Sequence, residues 1–239
     1  MSEPLGDPAE VLLIACGRVA PPAEGQHVDW FLHHLAPLGL RARVVEAWAG
    51  APLPDPRPFR GVILSGSGAG VRDAEPWMAR LAPWALAAAD TTPVLGVCFG
   101  HQLLGEALGG RVEAHGSGPE WGTVSVDLTT EGRADPLFAG LPDRLWVQGL
   151  HRDHVVRPPT RPGVRLLAAN PHTPIQALAW GPRLRTVQFH PEIRAGTLAR
   201  LMADRGWPAT APITRSDHGG RILTNWARAW LGAGGPPPP

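Results

Sequence analysis

In Gly96-Val97-Cys98-Phe99-Gly100 a cysteine sits between two glycines, each two positions away, where an apolar run meets a helix-like segment. This is the pattern of a nucleophile turn: a tight bend exposes the side chain, and the small neighbours let chain and substrate approach closely. A helix starting at the next residue would aim its unpaired N–H groups and positive dipole end at the sulfur. That field favours thiolate and can hold a developing oxyanion. A cysteine between a strand and a helix can instead be a small core residue, but a core cysteine does not need both glycines. Cys16, inside an apolar run without such glycines, reads as core.

A cysteine nucleophile needs a base, and Gln188-Phe189-His190-Pro191-Glu192 supplies one at the end of a predicted strand. Residues two apart in extended chain project to the same side. His190 and Glu192 can therefore face one site, with Glu192 orienting the imidazole. The alternatives are a surface ion pair or two metal ligands. A metal would need a third ligand, for which His151, Asp153 or His154 is available.

Strand and helix signals alternate over the first 110 residues. Val11–Cys16, Arg43–Ala47, Gly61–Leu64 and Pro93–Val97 read as strands, and Val28–Leu38, Pro76–Ala89 and the segment after Cys98 through Leu108 as helices. Such alternation argues for a parallel sheet covered on both faces. Beyond it, Gly122–Leu128, Leu145–Gln148, Val164–Ala169 and Ile175–Trp180 read as antiparallel additions, Arg185–Phe189 as a further strand and Arg221–Leu231 as a closing helix. The prediction is one α/β domain with a mostly parallel central sheet, flanking helices and an added antiparallel portion. Residues 1–10 are expected to be a flexible N-terminus, 11–231 the domain, and 232–239 a disordered Gly/Pro-rich tail.

Composition narrows the chemistry. All 22 basic residues among 239 are Arg, so a lysine Schiff base and a P-loop lysine are both excluded. Tyr is absent, which removes a phenolic acid or base. The net charge of +1 carries no general attraction to nucleic acid or to an anionic membrane. Two cysteines make neither a disulfide framework nor a Cys-rich zinc site. With no basic leader and no apolar stretch of about 18 residues, the chain reads as soluble and cytoplasmic.

Taken together, the Cys98 and His190 segments resemble those of the class I glutamine amidotransferase family, whose flavodoxin-like fold the predicted α/β order matches. Ile63–Gly68 occupies the place of that family's oxyanion loop, Gly149–Asp153 resembles the segment lining its glutamine pocket, and Thr173–Ala177 is similar to the strand before its histidine. The closest likeness is to stand-alone domains that resemble the glutaminase half of GMP synthase without its ATP-using half.

The resemblance implies Cys98 as nucleophile, His190 as base and Glu192 as its orienter. It implies an oxyanion hole from the N–H of Phe99 and one from Gly66 or Ser67, and a glutamine pocket that Gln102 and the backbone around Leu150 and His151 help define. The implied reaction cleaves the γ-carboxamide of glutamine through a glutamyl thioester, without cofactor or metal, and releases ammonia for a separate synthase partner. The same residues would serve a self-contained γ-glutamyl peptidase acting on a γ-glutamylated small metabolite, which stays open, as does a non-enzymatic binding module. One departure is Gly68, where relatives usually carry Pro; a more mobile oxyanion loop is expected from it.

Several other residues invite attention. Trp77 with Trp84, and Trp226 with Trp230, lie at helical spacing and read as packing, whereas Trp121 and Trp146 could wall the pocket. His33 and His34 read as solvent-facing, His101 as packing or as a hydrogen-bonding support behind the site, and Asp73 as a helix cap. Arg152, Asp153 and His154 read as a surface charge cluster, with their place beside the expected pocket favouring a role there.

Overall fold

In the computed structural model, which describes residues 9–18 and 27–233, β1 (Glu10–Ala15) is buried on both faces. Val11 and Leu13 join one apolar cluster, Leu12 and Ile14 the other. An unbroken apolar run is what a parallel strand covered from both sides requires. Three strands continue the parallel arrangement in the order β2-β1-β3-β4: β2 (Arg41–Glu46), β3 (Gly61–Leu64) and β4 (Val94–Val97).

The helices divide between the two faces. α1 (His27–Leu35) and α6 (His218–Leu231) bring Phe31, Leu35, Ile222, Leu223 and Trp226 to the first cluster. α2 (Pro76–Ala88) and α3 (Phe99–Ala107) bring Trp77, Met78, Leu81, Phe99 and Leu103 to the second. Ile222, Leu223 and Trp226 form one stripe of α6 and are fully buried; each such side chain contributes about 1.5–3 kcal/mol relative to exposure. The expected helix over 28–38 gives way at Leu35 to a tighter turn, Ala36–Leu38, around Pro37, closed by Gly39 at φ 76°.

The second half supplies β5 (Arg111–Ala114), β6 (Glu120–Leu128), α4 (Thr130–Ala134), β7 (Arg144–His151), β8 (Asp153–Arg157), β9 (Val164–Ala169), β10 (Ala177–Trp180), β11 (Leu184–Val187) and α5 (Ala195–Arg205). The main sheet has nine strands, continuing from β4 as β11-β10-β9-β6-β7. β11 runs parallel to β4, whereas the pairs from β11 outward to β7 are antiparallel. The chain leaving β11 therefore emerges at the same sheet edge as the chain leaving β4. That edge, at the carboxyl ends of parallel strands, is where open α/β sheets form their crevices.

Several elements differ from expectation. β5 and β8 form a separate two-stranded antiparallel sheet that the pattern did not announce. α5 was not expected, although Leu198, Leu201 and Met202 at helical spacing form its buried face. α6 starts at His218, before the expected Arg221. Of the two expected flexible ends, residues 1–8 and 234–239 lie outside the described residues.

Candidate active site

Cys98 occupies the single residue between β4 and α3, with φ 50° and ψ −100°. A side-chain-bearing residue in this region carries strain of order 1–3 kcal/mol, and packing must hold it there. The two glycines allow that packing. A Cβ on Gly96 would stand 2.9 Å from the carbonyl of Gly100, and one on Gly100 would stand 2.7 Å from the Leu64 carbonyl. The start of α3 is thus pressed onto β3 and β4, with Cys98 held at the turn.

His190 follows β11, and its backbone N–H donates to the Gln148 carbonyl at 2.8 Å, which ties it to β7. Its Nδ1 lies 2.7 Å from Oε1 of Glu192, and both side chains are almost wholly buried. The Cys98 sulfur lies on the other side of the ring, in the same cavity; with Nδ1 turned to Glu192, Nε2 is the nitrogen left for it. Burial pulls the His190 pKa down, but the Glu192 carboxylate and the Cys98 sulfur outweigh it and hold it well above the ordinary value. Cys98, His190 and Glu192, expected to converge, lie together.

Gly66 and Ser67 follow β3 and close over this pair. A Cβ on Gly66 would approach Cε1 of His190 to 2.9 Å and Cβ of Cys98 to 3.6 Å. Ser67 lines a cavity of about 130 Å³ together with Gly68, Cys98, Leu150 and His190. Phe99 begins α3, so its N–H is among the helix donors without an intrahelical partner. The loop is fastened at its far end. The Ser67 hydroxyl accepts from the Ala69 N–H at 3.0 Å, and the Asp73 carboxylate accepts from the Gly70 N–H at 2.8 Å. Asp73 therefore caps the short turn Val71–Asp73.

The three residues expected to define the glutamine pocket are divided. Leu150 lines the cavity, and its carbonyl lies 3.9 Å from the Cys98 sulfur. Gln102 is buried beneath it: its amide nitrogen donates to the Asp153 carbonyl at 2.6 Å and to Oε1 of Gln188 at 3.2 Å. His151 is buried as well, with Nε2 2.8 Å from Oε2 of Glu120. Burial pushes Glu120 up, yet hydrogen bonds from His151, Asn170 and Gln176 bring it below the ordinary carboxylate value. Gln102 and His151 thus stand under the pocket wall, because each spends its polar atoms on the strands behind it.

Other expectations need correction. His34 is half-buried, not solvent-facing: its ring leaves only 3.0 Å to a Cβ placed on Gly220. Asp153 and His154 do not belong to a surface charge cluster. Asp153 faces Arg72 at 3.6 Å, and His154 is buried beside the His115 ring, with centroids 4.4 Å apart. Among the described residues, no group of three or more His, Cys, Asp or Glu side chains is arranged to hold a metal ion. Trp146 lines a groove of about 950 Å³ that shares His190 and Ile193 with the Cys98 cavity, and Trp121 packs behind the cavity wall, stacked on Trp207 and clustered with Ile193 and Leu201.

Sequence reasoning also missed part of the cavity wall. Arg18, Trp30, Ile193, Leu201, Arg205 and Trp207 all line it. The last three depend on α5, whose apolar spacing was the available signal.

A parallel sheet ending in a strained cysteine turn, with an imidazole–carboxylate pair returned to the same edge, defines an α/β protein of the cysteine-turn class. The sequence profile of the class-I glutamine amidotransferases matches residues 23–207, and the chain belongs to that family. It is 34% identical over 203 residues to the glutamine-hydrolyzing GMP synthase of Aeropyrum pernix, a match covering 84% of this chain and 37% of that protein. The chain thus corresponds to little more than a third of that relative. With a glutamine-hydrolyzing GMP synthase subunit of Sulfolobus acidocaldarius it shares 38% identity over 103 residues, covering 43% of this chain and 52% of that one. The solved structure of a glutamine amidotransferase from Methylobacillus flagellatus shares the fold, with TM-score 0.73, 21% identity and coverage of 92% and 94% of the two chains. No helix among the described residues is long and apolar enough to cross a membrane.

Proposed function

We propose that this protein hydrolyses the γ-carboxamide of glutamine through a glutamyl thioester. The observation that carries this reading is the meeting of Cys98, on its strained turn, with the buried His190–Glu192 pair in one cavity. His190 takes the thiol proton, and Sγ of Cys98 attacks the γ-carbonyl carbon. The oxyanion is held by the N–H of Phe99 and by one from Gly66 or Ser67, each donor being worth roughly 3 kcal/mol. His190 returns its proton to the leaving nitrogen, and ammonia departs. Water activated by the same imidazole then cleaves the thioester to glutamate. Glu192 keeps the ring oriented and favours its charged form throughout.

Leu150 presents its backbone to the glutamyl chain, with Gln102 and His151 fixing that wall from behind. Arg18 and Arg205 are among the residues that line the cavity, and their positive charge suits the α-carboxylate of the substrate. The likeness to a protein named as one subunit of a synthase supports a separate synthase as ammonia acceptor.

Glutamate and ammonia release from glutamine by the purified chain, lost in Cys98→Ala, is the expected result. Turnover that survives in Cys98→Ala overturns the assignment. Turnover that rises only when a separate synthase is added identifies the acceptor route.

A further inference from the structure

The cavity holding Cys98 and His190 has more apolar wall than a polar substrate covers. A small apolar cluster of Trp121, Ile193, Leu198, Leu201 and Met202, with Trp30 and Leu150 packed against it, is distinct from the two large clusters on the sheet faces. Trp30, Leu150, Ile193 and Leu201 carry this cluster into the cavity wall. Trp207 extends the wall to the surface, where 37% of it is exposed.

Trp207 is also held in place. Its ring stacks on Trp121 with centroids 5.0 Å apart and planes 16° from parallel, and the Arg205 guanidinium lies 5.5 Å from its centroid. A fixed indole at the rim is a preformed contact surface.

Free glutamine does not use such a surface. Beyond two side-chain methylenes it offers only polar or charged groups, and ammonia is small and polar. An apolar wall beside a reacting group marks where an apolar part of a ligand rests. The charges on the wall point the same way: among the described lining residues there are two Arg and no Asp or Glu. A leaving amine with a second positive charge finds no carboxylate among them.

Resting on the γ-carboxamide chemistry above, we propose that the preferred substrates are γ-glutamyl amides whose amine carries an uncharged alkyl or aryl group, seated along Leu201 and Trp207. Sγ of Cys98 bonds the γ-carbonyl carbon, the C–N bond breaks, and the His190 proton passes to the leaving nitrogen, so the amine departs neutral. Water then adds to the thioester and restores the thiol. The sum is amide plus water giving glutamate plus amine, with no further reactant.

The test is a substrate series on the whole chain: glutamine, γ-glutamyl n-alkyl amides from methyl to pentyl, γ-glutamyl benzylamide, and the mono-γ-glutamyl amide of 1,4-diaminobutane. Each added methylene is expected to raise kcat/KM about three- to fourfold, and the benzylamide to exceed glutamine by at least about tenfold. The diaminobutane amide, similar in length to the pentyl amide, is expected to fall well below it. In Trp207→Ser the gain per methylene shrinks towards none. A flat or falling series with glutamine the best substrate overturns this inference and leaves the γ-carboxamide reading standing. A gain per methylene unchanged in Trp207→Ser overturns the seat assigned to the amine. Hydrolysis of no member, with a Cys98 that no glutamyl electrophile labels, overturns both readings.

Discussion

Gly66 and His190 touch so closely that a methyl group on the glycine would stand 2.9 Å from Cε1 of the imidazole. The contact links the proposed oxyanion loop to the proposed base. Because Glu192 fixes the other side of the ring, the ring cannot yield without leaving its partner. Gly66→Ala is therefore expected to displace the imidazole and lower kcat by about a hundredfold, the scale of a misplacement near 1 Å. Steady-state kinetics alongside a thermal melt checks this; full activity in the alanine variant means the loop moves freely and the contact is incidental.

The two cysteines offer an internal control. Cys16 is fully buried, with its thiol against the Ile14 carbonyl, and burial pushes its pKa up to about 12. Cys98 lines the cavity beside an imidazole. Thiolate is the reactive form, so a glutamine-analogue alkylator at neutral pH is expected to label Cys98 and leave Cys16 unmodified. Peptide mass spectrometry reads the outcome, and comparable labelling of both sites would count against Cys98 as nucleophile.

The first half of the fold was legible because its signals are local. Val11–Ile14 and Gly61–Leu64 are apolar on both faces, and Gly96 and Gly100 mark the close approach of α3 to the sheet. The second half depends on pairings between distant segments, such as Arg111–Ala114 with Asp153–Arg157, which no short window contains. The candidate site divides the same way. Cys98, His190 and Glu192 stand in compact motifs, whereas Arg18, Trp30 and Trp207 reach the cavity from unrelated stretches of chain. Their side chains carry no pattern that names a destination. Gln102 stands apart for the opposite reason: family likeness points it to the pocket, while its side-chain hydrogen bonds run to Asp153 and Gln188 behind the wall.

Glu192→Gln tests the electrostatics of the pair. The carboxylate raises the His190 pKa against the opposing pull of burial, so a neutral amide lets it fall. The proposed reactive state, thiolate beside imidazolium, ends where the imidazolium loses its proton. The alkaline limb of kcat/KM is thus expected to move to lower pH, by about 1 to 3 units for the loss of an adjacent opposite charge. Stability follows the same sign. The raised pKa stabilises the native fold fully below the unfolded-state value, and this contribution is lost as pH rises through the native value. An unshifted alkaline limb places the controlling proton on another group.

His34 reaches the same segment from α1. Its ring packs on Gly220 of α6, while a Cβ on Gly219 would stand 2.8 Å from the Pro191 carbonyl. Helices α1 and α6 thereby clamp the residues that carry Glu192. Replacing His34 with Ala removes the ring from Gly220 and loosens the clamp. The expected effect is a fall in kcat of about tenfold, equivalent to roughly 1.4 kcal/mol, with KM little changed. A change in KM alone points to a role in substrate binding instead.

Arg185 and Asp135 form the buried ion pair that fixes β11, the strand leading to His190. Asp135 receives Nε of Arg185 at 2.9 and 3.0 Å, and its Oδ1 also accepts the Leu137 N–H at 3.1 Å. The two residues are 4% and 2% exposed, so Asp135→Ala strands a guanidinium away from water as well as uncapping a turn. The expected loss is about 3–5 kcal/mol in denaturant unfolding. Arg185→Met together with Asp135→Ala removes both charges, and should recover part of that loss, since the cost lies in the unpaired ion more than in the missing attraction. If the double variant is as unstable as the sum of the singles, the two residues are energetically uncoupled and the desolvation argument fails for this strand.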